Sequence, residues 1–132
     1  MRFLLDTNIC IYIIKQTPLS VFKKFKKLEL GDIGLSSVTV AELYYGVAKS
    51  QHKEKNNLAL ENFLLPLEIV SFDEQAAVCY GDLRTQLENI GQPIGPLDLM
   101  IAAQAKSMGV VLVTNNLKEF NKIAGLKVEN WV

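Results

Sequence analysis

Short apolar runs recur along this chain, and each is separated from the next by stretches with helical periodicity. The runs at 2–6, 33–36 (IGLS), 67–71 (LEIVS) and 110–114 (VVLVT) read as strands, with a weaker one at 126–129. They are almost continuously hydrophobic and do not alternate, as expected for a parallel sheet covered on both faces. Helical patterns fill 8–15, 18–28, 37–50, 53–64, 73–90 and 96–108. Strands alternating with helices predict an α/β chain: a three-layer α/β/α sandwich around a central parallel sheet of four to five strands.

A length of 132 residues suits a single domain spanning 1–132, with no repeat, linker or low-complexity segment. Apolar residues make up 49% of the chain and charged ones 21%, which excludes a disordered tail. Asp6 interrupts the only apolar stretch near the amino end, no signal-peptide cleavage site follows, and no run is long enough for a membrane span. The two cysteines, Cys10 and Cys79, lie in apolar surroundings and read as buried thiols of a cytoplasmic protein. Net charge is zero but unevenly placed. Residues 1–60 hold nine basic against five acidic side chains, and residues 61–132 hold the reverse. The distribution permits a basic face.

Two helical stretches carry more than their existence. In SVFKKFKKLEL, Val21, Phe22, Phe25 and Leu28 share one face, while Lys23, Lys24, Lys26 and Lys27 cover the other. That lysine face is either an RNA-contacting patch or a solvated surface. In NICIYIIK, Ile9, Tyr12 and Ile13 can face the sheet, which leaves Ile11 and Ile14 pointing elsewhere. Such a helix is either sandwiched in a core or docked on another chain.

Chemistry narrows by elimination. His52 is the only histidine and sits in the polar stretch SQHKEKNN, so Ser-His-Asp, Cys-His and histidine-rich zinc sites lack their parts. No phosphate-binding glycine pattern occurs. Carboxylates remain: Asp6, Glu42 and Asp98 each interrupt an apolar context. Each also has a structural reading. Asp6 can cap the following helix, Thr39 and Glu42 have capping-box spacing, and Asp98 suits the first turn after Pro96.

Topology favours the chemical reading. In a doubly wound sheet, helices that follow or precede strands begin at the carboxyl edge of that sheet. Asp6, Glu42 and Asp98 therefore converge there, together with Asn115 and Asn116 from the end of VVLVT. Three clustered carboxylates repel one another, and a hard divalent cation resolves the conflict. Oxygen ligands point to Mg²⁺, with Mn²⁺ as a substitute. Such a metal can activate water against a phosphodiester.

FLLDTNICIYIIK, SSVTVAELYYGV, IGPLDLMIAAQAKSMG, VLVTNNLKEF and GLKVENW together resemble the PIN-domain ribonuclease toxins of the VapC type, over essentially the whole chain and in order. The resemblance implies a Mg²⁺-dependent endoribonuclease, a homodimer, and a cognate antitoxin whose tail covers the active site. It carries Asp6, Glu42 and Asp98 over as metal-binding acids, with Asn8 as a polar orienter, and makes a structured RNA such as tRNA a plausible substrate. One position departs from the family pattern. Many PIN domains hold a fourth acid where this chain has Asn116, whose amide adds no charge, so a stable two-metal site is not expected. Glu119 reaches the crevice if NLKEF forms a helical turn, and is a solvated charge otherwise.

Two other readings belong to different classes. A phosphohydrolase of the haloacid-dehalogenase kind also places an Asp at the end of its first strand, but usually needs a second Asp where this chain has Asn8. A catalytically silent RNA- or protein-binding module would bind without metal and survive loss of Asp6 or Asp98.

Overall fold

The computed structural model describes residues 1–132. The chain runs β1 (Phe3–Leu5), α1 (Thr7–Lys15), α2 (Leu19–Lys27), a 3₁₀ turn (Leu30–Asp32), β2 (Ile33–Ser36), α3 (Ser37–Ala48), α4 (Lys53–Leu64), β3 (Glu68–Val70), α5 (Glu74–Asn89), α6 (Pro96–Met108), β4 (Val111–Val113), α7 (Leu117–Phe120) and β5 (Val128–Glu129). All strand pairs are parallel, and the sheet order is β3-β2-β1-β4-β5. The expected sandwich therefore forms, with all five strands in the sheet. Only the 3₁₀ turn had no counterpart in the sequence reading.

Alternate residues of the central strands feed two separate cores. Phe3 and Leu5 of β1 and Val113 of β4 pack with Ile9 and Ile13 of α1, Val21 of α2 and Leu60 of α4. Leu4 and Leu112 face the other way, onto Leu83 of α5, Ile101 of α6 and Phe120. Leu4 and Leu5 are fully buried, which explains why the strand sequence does not alternate. The edge strand β3 departs from that pattern, since Glu68 and Ile69 are exposed. The thiol of Cys10 is buried in the first core and that of Cys79 half-buried against the second, so the sheet separates the two free cysteines.

Local chemistry sets the helix ends that matter for the site. Asp6 ends β1 and caps α1, accepting a bond from the Thr7 N–H. Ser36 caps α3 through a 3.1 Å bond from the Val38 N–H, so the capping box for which Thr39 and Glu42 have the spacing does not form. Ser36 wins because it is the last strand residue, with extended backbone, whereas Thr39 already lies inside the helix. Freed from that task, Glu42 is available to the crevice. Pro96 opens α6 at a position where a missing N–H is harmless, and Gly109 closes it at φ +67.

Candidate active site

Three elements deliver the acids. The backbone N–H of Asp6 donates to the Val113 carbonyl (2.8 Å), which fixes the end of β1 beside β4. Both oxygens of the buried Asp6 side chain are engaged: Oδ1 accepts from the Thr7 N–H and Oδ2 from the Thr114 hydroxyl, each at 2.8 Å. The Thr114 hydroxyl in turn accepts from the Asn116 N–H at 3.0 Å. Glu42, half-buried on α3, accepts a 2.8 Å bond from the Thr7 hydroxyl. Asp98 enters from the first turn of α6.

The electrostatics register this crowding. Burial raises the Asp6 carboxyl above its ordinary range, against the two hydrogen bonds that lower it. Burial, followed by the charges of Asp6, Glu42 and Glu119, pushes the Asp98 carboxyl up to about 6. The charges of Asp6, Glu42 and Glu119 thus all act on Asp98. NLKEF does form a helical turn, and the Glu119 side chain there pairs through Oε2 with Lys122 Nζ at 3.3 Å.

The amides behave differently from the acids. Asn115 Nδ2 donates to the Tyr12 hydroxyl (2.9 Å), so its side chain ties β4 to α1. Asn116 is exposed at the amino end of α7, and Asn8 is exposed on α1. Thr7, and not Asn8, makes the side-chain contact that reaches Glu42. The sequence reading passed over both Thr7 and Thr114. Thr114 carried a visible signal, a hydroxyl at the end of a buried strand directly beside Asn115 and Asn116. Thr7 carried only its adjacency to Asp6.

The donor set fits a hard cation: it is all oxygen, like-charged and mutually repelling. As they stand, no three acidic, cysteine or histidine side chains close tightly around one point.

The crevice is flanked on one side by a groove of about 330 Å³, lined by Ile11, Ile14, Leu43, Val47 and Leu60, with Glu42 among its walls. Ile11 and Ile14 are half-buried there, so that face of α1 is neither closed core nor free surface. Lys23, Lys24, Lys26 and Lys27 are all exposed on α2, as expected. Lys24 alone among them meets an acid, Glu129, at 4.0 Å. Glu129 ends β5 at the carboxyl edge of the sheet, where its carbonyl accepts from the Thr114 N–H. Lys24 therefore reaches toward the carboxyl edge of the sheet. No helix is long and apolar enough to cross a membrane.

The PIN domain family matches residues 3–126. The chain is 44% identical over 131 residues to the tRNA(fMet)-specific endonuclease VapC of Shigella flexneri, an alignment covering 99% of this chain and 98% of that protein. The chain belongs to the PIN-domain family, among its VapC ribonucleases. This PIN domain is also 43% identical over 132 residues to ribonuclease VapC2 of Haemophilus influenzae, covering 100% of this chain and 99% of that one. Solved structures agree. The DNA-bound VapBC complex of Salmonella typhimurium contains a chain with TM-score 0.94 and 43% identity, covering 100% of this chain and 99% of that one. VapBC2 of Rickettsia felis, bound to a DNA fragment from its promoter, gives 0.91 and 44% with full coverage of both chains. VapC membership displaces the phosphohydrolase alternative.

Proposed function

We propose that this PIN domain is the toxin of a toxin–antitoxin pair, a Mg²⁺-dependent endoribonuclease that works in the cytoplasm as a homodimer and is restrained by a cognate antitoxin. The observation that carries this reading is the gathering of Asp6, Glu42 and Asp98 at one sheet edge, where the first two help raise the third. Those three would hold the ion, with Mn²⁺ able to replace Mg²⁺. When bound, the metal supplies Lewis acidity toward a phosphate oxygen and the attacking water. The chain supplies the rest. Asp6 is locked by Thr7 and Thr114, Asp98 shares the charge of the crevice, and Asn116 contributes a neutral acceptor in place of a fourth acid. Asn8, exposed beside Thr7, is the polar group free to orient a ligand, and Glu119 adds a charge that acts on Asp98.

Phosphodiester hydrolysis fits this arrangement because a polyanion must be brought against a cluster of carboxylates. A divalent ion offsets the repulsion at the cut, and the lysines of α2 offset it along the backbone. The Shigella relative is named for the initiator tRNA, so tRNA is the proposed substrate class. The solved complexes pair VapC with VapB, and the apolar groove beside Glu42 offers an antitoxin segment a seat that also blocks the crevice. The test is direct. Purified protein should cut initiator tRNA with Mg²⁺ or Mn²⁺, stop with EDTA, and stop in Asp98→Asn. Cleavage that persists in EDTA and in Asp98→Asn would overturn the metal mechanism.

A further inference from the structure

We infer that Thr7 is a positioning residue: it ties Glu42 to Asp6 so that the two carboxylates face the crevice before any metal arrives. The inference rests on the proposed metal mechanism, and its carriers are two hydrogen bonds from one residue. The Thr7 N–H donates to Asp6 Oδ1 at 2.8 Å, and the Thr7 hydroxyl donates to Glu42 Oε1 at 2.8 Å.

Physical chemistry explains why such a link is needed. Asp6 leaves the sheet with both oxygens held, so its orientation is set by the backbone of β1 and β4. Glu42 has a longer side chain on a different element and is only half-buried. Charge repulsion from Asp6 and Asp98 would swing it toward water. A threonine hydroxyl has a single proton, and here it is committed to Glu42. Thr7 thus offsets the repulsion between like charges without adding a charge of its own. Each carboxylate oxygen that accepts one bond keeps a second lone pair for a ligand. Partners behind metal-binding carboxylates typically change metal affinity or activity by about 10- to 100-fold when removed.

The experiment compares wild type, Thr7→Val and Thr7→Ser in calorimetric titrations with Mn²⁺ alone, alongside kcat and KM for tRNA cleavage and melting of the metal-free proteins. Thr7→Val keeps the shape and loses the hydroxyl, so Mn²⁺ binding should weaken by at least about 10-fold. Its kcat should fall while KM for RNA stays near wild type. Thr7→Ser should restore both quantities. Where Thr7→Val folds poorly, Thr7→Ala removes the same hydroxyl with a better helix former. Wild-type Mn²⁺ affinity in Thr7→Val, or a Thr7→Ser variant as weak as Thr7→Val, would overturn the inference and leave the metal mechanism standing. A wild-type protein that binds no Mn²⁺ would overturn the metal mechanism and this inference with it.

Discussion

Thr114 and Asp6, 108 positions apart in the chain, meet through a 2.8 Å hydrogen bond buried at the carboxyl edge of the sheet. The bond fixes one oxygen of the acid that ends β1 and couples it to the turn after β4. Thr114→Val should leave Asp6 buried and short of a partner, at a cost of about 1–3 kcal/mol in urea unfolding. Thr114→Ser should recover most of that loss. Wild-type stability in Thr114→Val would show that the bond to Asp6 contributes nothing to the fold.

The acids themselves should respond in opposite directions for activity and stability. Asp6→Asn, Glu42→Gln and Asp98→Asn should each abolish RNA cleavage, because each removes a ligand charge and little volume. In the metal-free protein, Asp98→Asn should raise stability by about 1 kcal/mol, or about 4 °C in Tm. The full linkage value is discounted here because Asp98 is half-exposed to screening water. A metal-free wild type that melts above Asp98→Asn would contradict the crowded-crevice account.

The same crowding sets a pH dependence. Asp98 is raised from 3.8 to about 6 in the folded protein, so the folded state holds that proton more tightly than the unfolded chain. The group therefore stabilises the metal-free fold when protonated, and that contribution is lost as pH rises from about 4 through 6. Between pH 5 and 7.5 the metal-free wild type should lose stability that Asp98→Asn retains. Saturating metal should reverse the loss, contributing about 2.7 kcal/mol at 100 times its dissociation constant. Thermal melts across that pH range, with and without Mg²⁺, give the answer.

Asn116 offers a gain-of-affinity experiment. Three acids hold charge for one divalent ion and too little for two, so one tight site is expected without RNA. Asn116→Asp adds a fourth charge of nearly the same shape, and should tighten Mn²⁺ binding and lower the Mg²⁺ needed for half-maximal cleavage. Glu119→Gln should weaken binding, since Glu119 already acts on Asp98. Two tight sites in the wild type by calorimetry would refute the single-ion expectation.

The two surfaces beside the crevice are separable by mutation. Replacing Lys23, Lys24, Lys26 and Lys27 with Ser should flatten the salt dependence of tRNA binding, by up to about 0.7–0.9 in log–log slope per lost phosphate contact. Metal affinity should not change. Ile11→Asp should weaken antitoxin association while circular dichroism stays native, because Ile11 lines an open groove. An unaltered salt slope would return α2 to a merely solvated face.

Much of this architecture was legible in the sequence, for physical reasons. Strands buried on both faces carry continuous apolar runs, so β1, β2 and β4 were plain, and the doubly wound topology placed Asp6, Glu42 and Asp98 at one edge. Boundaries blurred where chain chemistry is degenerate. The 3₁₀ turn at Leu30–Asp32 has no periodicity to detect, and Ser36 and Thr39 compete as caps until the strand end is known. The polar partners were hidden for a different reason. Thr7 meets Glu42 and Asn115 meets Tyr12 only after the helices pack, and no spacing rule reports such contacts.

The strand order has a consequence for how the protein comes into being. β1, which carries Asp6 at its end, lies between β2 and β4, and β4 can join it only after residues 111–113 have been made. A nascent chain still short of Val111 has Asp6 and Glu42 but lacks the strand whose Val113 carbonyl and Thr114 hydroxyl fix Asp6. Asp98 likewise has no sheet edge to stand on until β4 docks. The candidate centre therefore needs the chain through Thr114 before Asp6 can be fixed. Until the fourth strand docks, the acid that ends the first has no partner across the sheet to hold it.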